Sequence, residues 1–573
     1  MKKKLLILLS LILALSIFAA GCVPKGDDKA DTPPVVEPDD KGDKDDEKEP
    51  DEPKDETTGE KILRTNNAEE PGSLDPALAQ GTHESWILDH AFEGLMKVNE
   101  NLEIVEGMAE SYEVSEDKLT YTFKIRDDAK WSTGDPVTAE DFEFSWKRAL
   151  DPKLASDYAH QLYYIKGGEA FNTGEGVMDD VMVKAEDEKT LVVTLESPTA
   201  YFLELTAFYT LYPVSKKAVE ANGDWAKTVD TYVSNGPFKL TEWEHSASLK
   251  IRKNDEYYDK DKVMLDGMDF DIIADENTTW QKYEGGDYDF LTPLPQAVVA
   301  KMKAENNPEL VIAEQVGTYY YNLNSKFKMA NGSMPFTNEK IRKAFAMSLD
   351  RATIVEKIAQ GGQIAAEGVV PLGLKDENGK EYRDEVGKLL EFNEDEAKKM
   401  FAEGIKEEGI TAADFKQVVL LYNTSEAHKK IAQAAQEMWR VNLGVEIQLE
   451  NVDFQVKLDR EKAGDYQISR AGWIGDYADP ITFLELWHSK SSFNDAKYNN
   501  PEYDKLVDIA KTSPDNNERF KAMRDAEKMI MEDMPVVPVY FYTQPYAQKP
   551  YVTGVFKPLV NYPRLTYVDM NKK

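Results

Sequence analysis

The residues of this chain with the clearest chemical potential lie in the stretch 466–480. Ile468, Gly472 and Ile474 alternate along a predicted strand, and the glycine leaves backbone uncovered so that another chain can approach it. A carboxylate, Asp476, follows the strand directly, and an aromatic residue follows the carboxylate. Accessible backbone beside a charge and aromatic surfaces could hold an extended peptide. The same pattern also fits an ordinary core strand that ends in a polar turn.

The elements that position this stretch alternate between strand and helix. We predict strands at 418–422, 445–449 and 466–474, a helix that begins at Ser425, and a helix at 454–460. Such a βαβαβ order predicts parallel strands with a ligand site at their carboxyl ends. Asp476 follows the last of these strands and therefore lies at such an end.

Elsewhere the pattern predicts further short elements. Thr138 is expected to cap a helix, with Asp141 in an acidic variant of the capping box. The other predictions are strands at 61–64, 110–114, 119–126 and 536–542, and helices at 83–98 and 518–532.

Composition narrows the class of protein. At 573 residues the chain is expected to form two or three domains. Its 105 acidic and 69 basic residues give a net charge of −36, which argues against nucleic acid as a partner and against docking on anionic lipid.

The N-terminus has the pattern of an exported lipoprotein. Three lysines precede an apolar segment, 5–20, that is too short and too early for a membrane span. Ala19-Ala20-Gly21-Cys22 resembles the bacterial lipoprotein processing site, with Ala19 in place of the usual leucine. Cys22 is the only cysteine, so it is the predicted lipidation site, although an ordinary cleaved signal peptide is the alternative. We predict a signal peptide at 1–21 and a disordered acidic tether at 22–60, where proline and like charges keep the chain extended.

Several segments of the remaining chain resemble the solute-binding proteins of peptide ABC importers, family 5 of the extracellular solute-binding proteins. The most specific is Trp131-Ser-Thr-Gly-Asp-Pro-Val-Thr-Ala-Glu-Asp-Phe142. Ser234-Asn-Gly-Pro-Phe-Lys239 is a second family segment, and Tyr422-Asn-Thr-Ser-Glu-Ala-His428 with 470–480 resembles the oligopeptide-binding branch in particular. The resemblance runs from about Ile62 to the C-terminus.

The resemblance implies a fold and a domain organisation. The fold is the α/β periplasmic-binding-protein-like II type (class C), with two hinged lobes, an additional domain, and the ligand cleft between the lobes. The expected division is lobe I at 61–92, 226–325 and 543–573, additional domain II at 93–225, and lobe III at 326–542.

It also implies a function and a site. The protein would capture oligopeptides by strand addition between 80–83 of one lobe, which includes Thr82, and Gly472-Trp473-Ile474 of the other. Asp476 would pair with the peptide α-ammonium, and Arg470 and His428 would meet the C-terminal carboxylate. Tyr158, Trp473 and Tyr542 match pocket-lining aromatics, although each also fits a packing role. The expected partners are oligopeptides and an ABC permease, with no cofactor or metal, no contact with the membrane except through the lipid, and a monomeric state outside the cytoplasm.

Alternatives remain at several of these residues. Asp476 also fits a solvated turn or a helix cap, His428 a surface position at a helix start, and Arg470 a salt bridge between the lobes. The neighbouring Asp479 is interpreted as structural.

The sequence also bears on two other classes of function, enzymes and receptors for other ligands. The chain has six histidines and contains neither His-Glu-x-x-His nor Gly-x-Ser-x-Gly, so an enzyme is not expected. A receptor of the same fold for nickel, haem, an opine or an oligosaccharide is the nearest alternative, and Asp476 discriminates against it. A peptide-pheromone receptor would use the same site.

Overall fold

The computed structural model describes residues 59–101 and 103–571. The predicted signal peptide, Cys22 and all but the last two residues of the predicted tether lie outside the described residues. The strands are β1 (Ile62–Asn66), β2 (Met96–Val98), β3 (Ile104–Glu106), β4 (Ala109–Val114), β5 (Thr120–Ile125), β6 (Val183–Asp187), β7 (Thr190–Thr194), β8 (Phe238–Glu244), β9 (Ser248–Lys253), β10 (Gly267–Asp271), β11 (Phe290–Leu291), β12 (Leu310–Leu323), β13 (Ile364–Ala365), β14 (Val419–Asn423), β15 (Gln448–Val452), β16 (Ile468–Ile474), β17 (Val536–Gln548), β18 (Val552–Thr553) and β19 (Asp569–Met570).

The helices are interspersed with these strands. They are α1 (Thr82–Ala91), α2 (Ala139–Ala149), α3 (Gly168–Thr173), α4 (Phe202–Leu205), α5 (Lys216–Ala221), α6 (Glu276–Gly285), α7 (Gln296–Ala304), α8 (Glu339–Met347), α9 (Arg351–Thr353), α10 (Tyr382–Val386), α11 (Glu394–Glu407), α12 (Glu426–Leu443), α13 (Phe454–Ala463), α14 (Ile481–Leu484), α15 (Pro501–Thr512) and α16 (Asn516–Asp533). A π-helical segment, Ile354–Ala359, directly follows α9.

The strands form three larger sheets and two small ribbons. One four-stranded sheet has the order β1-β10-β9-β8, and another has the order β4-β5-β7-β6. The largest has the order β11-β17-β12-β16-β14-β15, with β13 also paired to β17. In that sheet β14 runs parallel to both β15 and β16, as the alternation of strands and helices predicts.

Two long antiparallel strands, β12 and β17, run through the largest sheet. Their first paired segment joins residues 310–314 to 543–547, and β11 also pairs with β17 there. Their second segment joins 318–322 to 536–541, where β16 pairs with β12. The register shifts between Glu314 and Thr318, so the ladder is interrupted between the two segments.

Short-range sequence signals account for many of these boundaries. Thr138 and Asp141 form the predicted capping box at the start of α2, and the Ser425 hydroxyl accepts from the His428 amide at the start of α12. Buried side chains of α12 recur at helical spacing, with Trp439 fully buried.

Three boundary predictions were wrong. The helix predicted at 83–98 ends at Ala91, and Met96–Val98 is a strand. Thr82 and His83 lie in the first turn of α1, so 80–83 is not a strand of its own. The strand predicted at 445–449 lies three residues later, as β15. The division into lobe I, domain II and lobe III at the numbered boundaries stays a prediction, and the sheet β4-β5-β7-β6 lies wholly within 93–225.

Candidate ligand-binding site

A cavity of about 360 Å³ lies beside the middle of β16. This volume is within the range of ligand pockets in proteins. Every predicted binding residue lines the cavity: Thr82, Tyr158, His428, Arg470, Gly472, Trp473, Ile474, Asp476 and Tyr542. The structure therefore brings together residues that lie up to 460 positions apart in the chain.

One edge of β16 is open beside this cavity. On one side, all seven residues of the strand pair with β12, from Ile468 opposite Leu323 to Ile474 opposite Gly317. On the other side, within the described chain, only Ile468 and Ser469 pair with β14. The main chain from Arg470 to Ile474 is therefore free to pair with an added strand.

Asp476 is a buried carboxylate at one end of this open edge. Its Oδ2 accepts from Gln161 Nε2 at 2.9 Å, and its Oδ1 accepts from the Tyr158 hydroxyl at 3.5 Å. Among the described residues no cationic side chain lies within ion-pair distance of it. Burial, and after it the charge of Glu485, raises the pKa of Asp476 well above its usual range. The carboxylate thus lacks the cation that would favour its ionised form.

Arg470 is a buried cation at the other end of the open edge. Its guanidinium donates to Asn423 Oδ1 at 3.2 Å and to the Tyr542 hydroxyl at 2.8 Å, and it lies 4.8 Å from the centre of the Tyr319 ring. Its Nε has no hydrogen-bond partner, and no carboxylate in the described part of the chain pairs with it. The alternative of a salt bridge between lobes is therefore absent from this arrangement.

His428 lies next to that guanidinium, in the first turn of α12. Its ring is 5.6 Å from the Tyr319 ring, and its Nδ1 has no hydrogen-bond partner among the described residues. Burial, and then the charges of Arg470 and Lys457, lowers the pKa of His428 well below its usual range. The imidazole is therefore neutral at pH 7 and lines the cavity.

The predicted aromatic residues form one wall near Asp476. The ring of Tyr158 stacks on that of Trp473 with centroids 6.2 Å apart, and Phe493 packs against both, at 4.8 and 4.9 Å. Trp473 and Tyr158 therefore both pack and face the cavity, and the Tyr158 hydroxyl also orients the carboxylate of Asp476.

Residues from opposite sides of the cavity contact each other. The Ser425 hydroxyl donates to Glu276 Oε1 at 2.9 Å, and the His83 and Phe454 rings meet edge to face at 5.4 Å. The Lys462 ammonium pairs with Asp157. The residues of the first two contacts all line the cavity, so these contacts form part of its enclosure.

Glu276 gives this enclosure a dependence on pH. Burial raises its pKa from 4.5 to about 7; Ser425 and Lys430 lower it, and Glu426 and Asp275 raise it. The ionised form therefore costs the folded protein about 3 kcal/mol, and this stability is lost progressively as pH rises from about 4.5 to about 7.

We expect Glu276→Gln to unfold at a higher temperature than the wild type at pH 8 and to show a shallower fall in unfolding temperature between pH 5 and 7. Thermal unfolding from pH 5 to 8 measures this, with Glu284→Gln, an exposed position on the same helix α6, as the matched control. Equal pH slopes for all three proteins would contradict the prediction.

Sequence reasoning missed several residues of the site. Gln161 contacts Asp476 from 315 positions away, and the Thr482 hydroxyl accepts from the Asp476 amide at 3.1 Å. Glu276 and His83 also line the cavity. No local pattern marks Gln161, whereas His83 stands next to a predicted residue and could have been included.

The described residues offer little for a metal ion. Within them, one carboxylate group, Asp376 with Glu377 and Glu385, is close enough to hold a cation. Arg524 already donates to Glu377 at 2.9 Å and to Glu385 at 3.3 Å, so a guanidinium occupies that position.

Comparisons with known proteins give the family of this chain. Residues 103–495 match the model of "Bacterial extracellular solute-binding proteins, family 5 Middle". The chain is 44% identical over 513 residues to the oligopeptide-binding protein OppA of Bacillus subtilis, covering 88% of this chain and 92% of OppA. It is 40% identical over 518 residues to the dipeptide-binding protein DppE of the same organism, covering 90% and 93%.

A solved structure extends the agreement to the fold. Listeria monocytogenes OppA bound to peptide superposes with a TM-score of 0.83 at 32% identity, covering 90% of this chain and all of that chain. The expected two-lobe α/β fold is thereby confirmed. No helix in the described ranges combines the length and apolar character that crossing a membrane requires. The chain belongs to family 5 of the bacterial extracellular solute-binding proteins, a family of substrate-binding receptors.

Proposed function

We propose that this protein is a receptor that captures oligopeptides in the cavity beside β16 and delivers them to an ABC permease. The observation that carries the proposal is the open edge of β16 between two buried and unpaired charges of opposite sign. A peptide in its zwitterionic form has the matching features: a main chain that adds to the strand, an ammonium for Asp476 and a carboxylate for Arg470.

The dimensions of the edge support a peptide of a few residues. Four residue steps separate Arg470 from Ile474, which is about 13 Å at the rise of an extended strand. Asp476 lies beyond that end, so a peptide of about four or five residues would place its two termini near the two charges. Relatives named for oligopeptide and dipeptide binding are consistent with this class of ligand.

The remaining parts of the proposal rest on the sequence. Cys22 would carry the lipid, residues 22–60 would tether the folded body, and the protein would act as a monomer on the outer face of the cell membrane. A receptor of this kind performs no chemical step, so we propose no catalytic residues, cofactor or metal.

Native mass spectrometry of the folded protein, purified without added ligand, tests the proposed ligand class. We expect bound species whose masses correspond to mixtures of short peptides, released when the protein unfolds. An adduct with the mass of a metal ion or a sugar would contradict the proposal.

Gly472 provides a test of strand addition at this site. A Cβ there would lie 2.4 Å from the Tyr542 hydroxyl, which the Arg470 guanidinium now contacts at 2.8 Å. The ring must move, so we expect Gly472→Ala to weaken tetra-alanine binding by about tenfold, or about 1.4 kcal/mol. Titration calorimetry measures the effect. Gly285→Ala is the control, because an added methyl group there meets nothing within 4 Å, and equal losses in the two variants would contradict the assignment.

A further inference from the structure

One face of β16 forms the floor of a side pocket within the cavity. Side chains alternate along a strand, so Ser469, Ala471 and Trp473 share this face, which is called the Ala471 face below. Tyr320 of β12 pairs with Ala471 and therefore lies on the same face. Ala471, Trp473 and Tyr320 all line the cavity. A peptide added to the open edge of β16 would direct every second side chain to the Ala471 face.

Helix α13 lies over this face and contributes an ion pair to the pocket. Lys457 and Glu461 of the helix both line the cavity. The Ser469 hydroxyl donates to Glu461 Oε1 at 2.5 Å, which fixes the helix against the strand. The Lys457 ammonium donates to Glu461 Oε2 at 2.6 Å, and both side chains are buried. The two charges therefore neutralise each other.

Asp495 adds a further negative charge to the pocket. It lines the cavity with Phe493, and its Oδ1 is buried without a hydrogen-bond partner among the described residues. The Lys497 ammonium lies 3.9 Å from that oxygen, which is beyond hydrogen-bond distance, and Lys497 is not among the residues that line the cavity. A buried acceptor without a donor is unfavourable, so this oxygen favours a ligand group that donates a hydrogen bond and carries positive charge.

We propose that Asp495 is a specificity-determining residue that selects peptides with a lysine or arginine side chain on the Ala471 face. The long side chain extends over Ala471 and brings its cation to Oδ1 of Asp495, where it supplies both the missing donor and a counterion. The assignment rests on the proposed function, because it takes the peptide main chain to pair with β16. The preference is confined to alternate positions of the peptide, since only every second residue of a strand faces this side.

Titration calorimetry on the whole folded protein tests this with a set of tetrapeptides. Each alanine of tetra-alanine is replaced in turn by lysine and, in a second series, by norleucine, which has a similar length and no charge. Lysine should bind about tenfold more tightly than norleucine at one position, or at two that are not adjacent, and within about twofold of it at the others. Equal gains at all four positions would show a general attraction to a protein of net charge −36. Either that result or no gain at any position would overturn the proposal.

Asp495→Asn should reduce the ratio of lysine to norleucine affinity at the favoured position from about tenfold to about one. Asp459→Asn is the matched control, because this exposed carboxylate on α13 removes the same charge and does not line the cavity. The control should keep the full ratio. An unchanged ratio in Asp495→Asn would overturn the proposal, whereas failure of the wild type to bind any peptide, tetra-alanine included, would instead contradict the proposed function.

The pH dependence of this ratio gives a second readout, on the wild type. Burial, and then the charge of Glu461, raises the pKa of Asp495 from 3.8 to about 7. The peptide lysine stays charged while Asp495 ionises, so the ratio should rise between pH 5 and 8, and a ratio that stays constant would overturn the assignment to Asp495. Any contribution of Asp476 cancels, because the lysine and norleucine peptides carry the same ammonium.

Other groups near Asp495 do not reproduce this dependence. Burial raises the pKa of Tyr320 and of Tyr466 well above the usual range, so both stay neutral up to pH 8. The charged groups that act on Asp495 are Glu461, Lys457, Lys497 and Lys462. Asp495→Asn should therefore show a constant ratio across the same pH range.

Discussion

Asp476→Asn is expected to weaken the binding of peptides with a free α-amino group by about 100-fold or more. The carboxylate is buried, and Gln161 and Tyr158 hold its oxygens in a fixed position, so under the proposed function it would meet the peptide ammonium without rearrangement. Removing one partner of a buried ion pair strands the other and costs about 3–5 kcal/mol. Titration calorimetry with tetra-alanine measures the loss. Asp453→Asn, at an exposed carboxylate directly before α13, is the control and should bind normally.

N-acetylation of the peptide identifies which group Asp476 meets. The wild type should lose at least tenfold in affinity for acetylated tetra-alanine, whereas Asp476→Asn should not distinguish the acetylated from the free peptide. Equal wild-type affinity for the two peptides would remove Asp476 from its proposed role.

The pH dependence of peptide binding should also reveal the pairing of Asp476 with the peptide ammonium. Burial raises the pKa of Asp476 in the ligand-free protein, and a bound ammonium would lower it again by favouring the ionised form. Between the two pKa values, binding must release a proton, so affinity falls as the pH falls. The asparagine variant should lack this component of the dependence.

Asp476 and Asp479 show what the sequence could and could not predict. They are the same residue type, three positions apart and both buried. Asp479 accepts two hydrogen bonds from Arg519, at 3.0 and 2.9 Å, and that arginine comes 40 positions later in the chain. Asp476 meets no cation in the described residues. The sequence-based prediction gave the two residues different roles, but the physical difference between them lies in long-range contacts that local patterns do not contain.

The same difference between local patterns and long-range contacts applies to the prediction of the fold. Capping boxes, hydrophobic periodicity and strand alternation act over a few residues, so the starts of α2 and α12 and both ends of β14 and β16 were predicted to within about two residues. The end of α1 at Ala91 was not predicted, since the helix was expected to continue to residue 98. The openness of β16 was inferred from Gly472 and the resemblance, yet its cause is that pairing with β14 stops at Ser469. Pairing between distant strands depends on the whole sheet and leaves no mark on the strand's own sequence.

Arg470→Met is expected to weaken the binding of peptides with a free C-terminal carboxylate by about 100-fold. Methionine keeps much of the side-chain volume and removes the charge. The guanidinium faces Asn423, Tyr542 and Tyr319, with no carboxylate partner among the described residues, so a peptide carboxylate would supply its counterion. A charge-assisted, bidentate contact of this kind is among the stronger interactions in proteins. Titration with tetra-alanine and with its C-terminal amide measures the effect, and only the free acid should be sensitive to the substitution.

The same substitution should leave the ligand-free protein at least as stable. A buried cation without a counterion is unfavourable, and replacing it by an apolar side chain of similar size is often neutral or stabilising. We therefore expect Arg470→Met to raise or preserve the unfolding temperature of the ligand-free protein while abolishing most of the stabilisation that peptide gives to the wild type. Loss of ligand-free stability together with unchanged affinity for free-acid peptides would assign Arg470 to packing instead. Opposite effects on stability and binding would show that the protein holds this charge unpaired for the ligand.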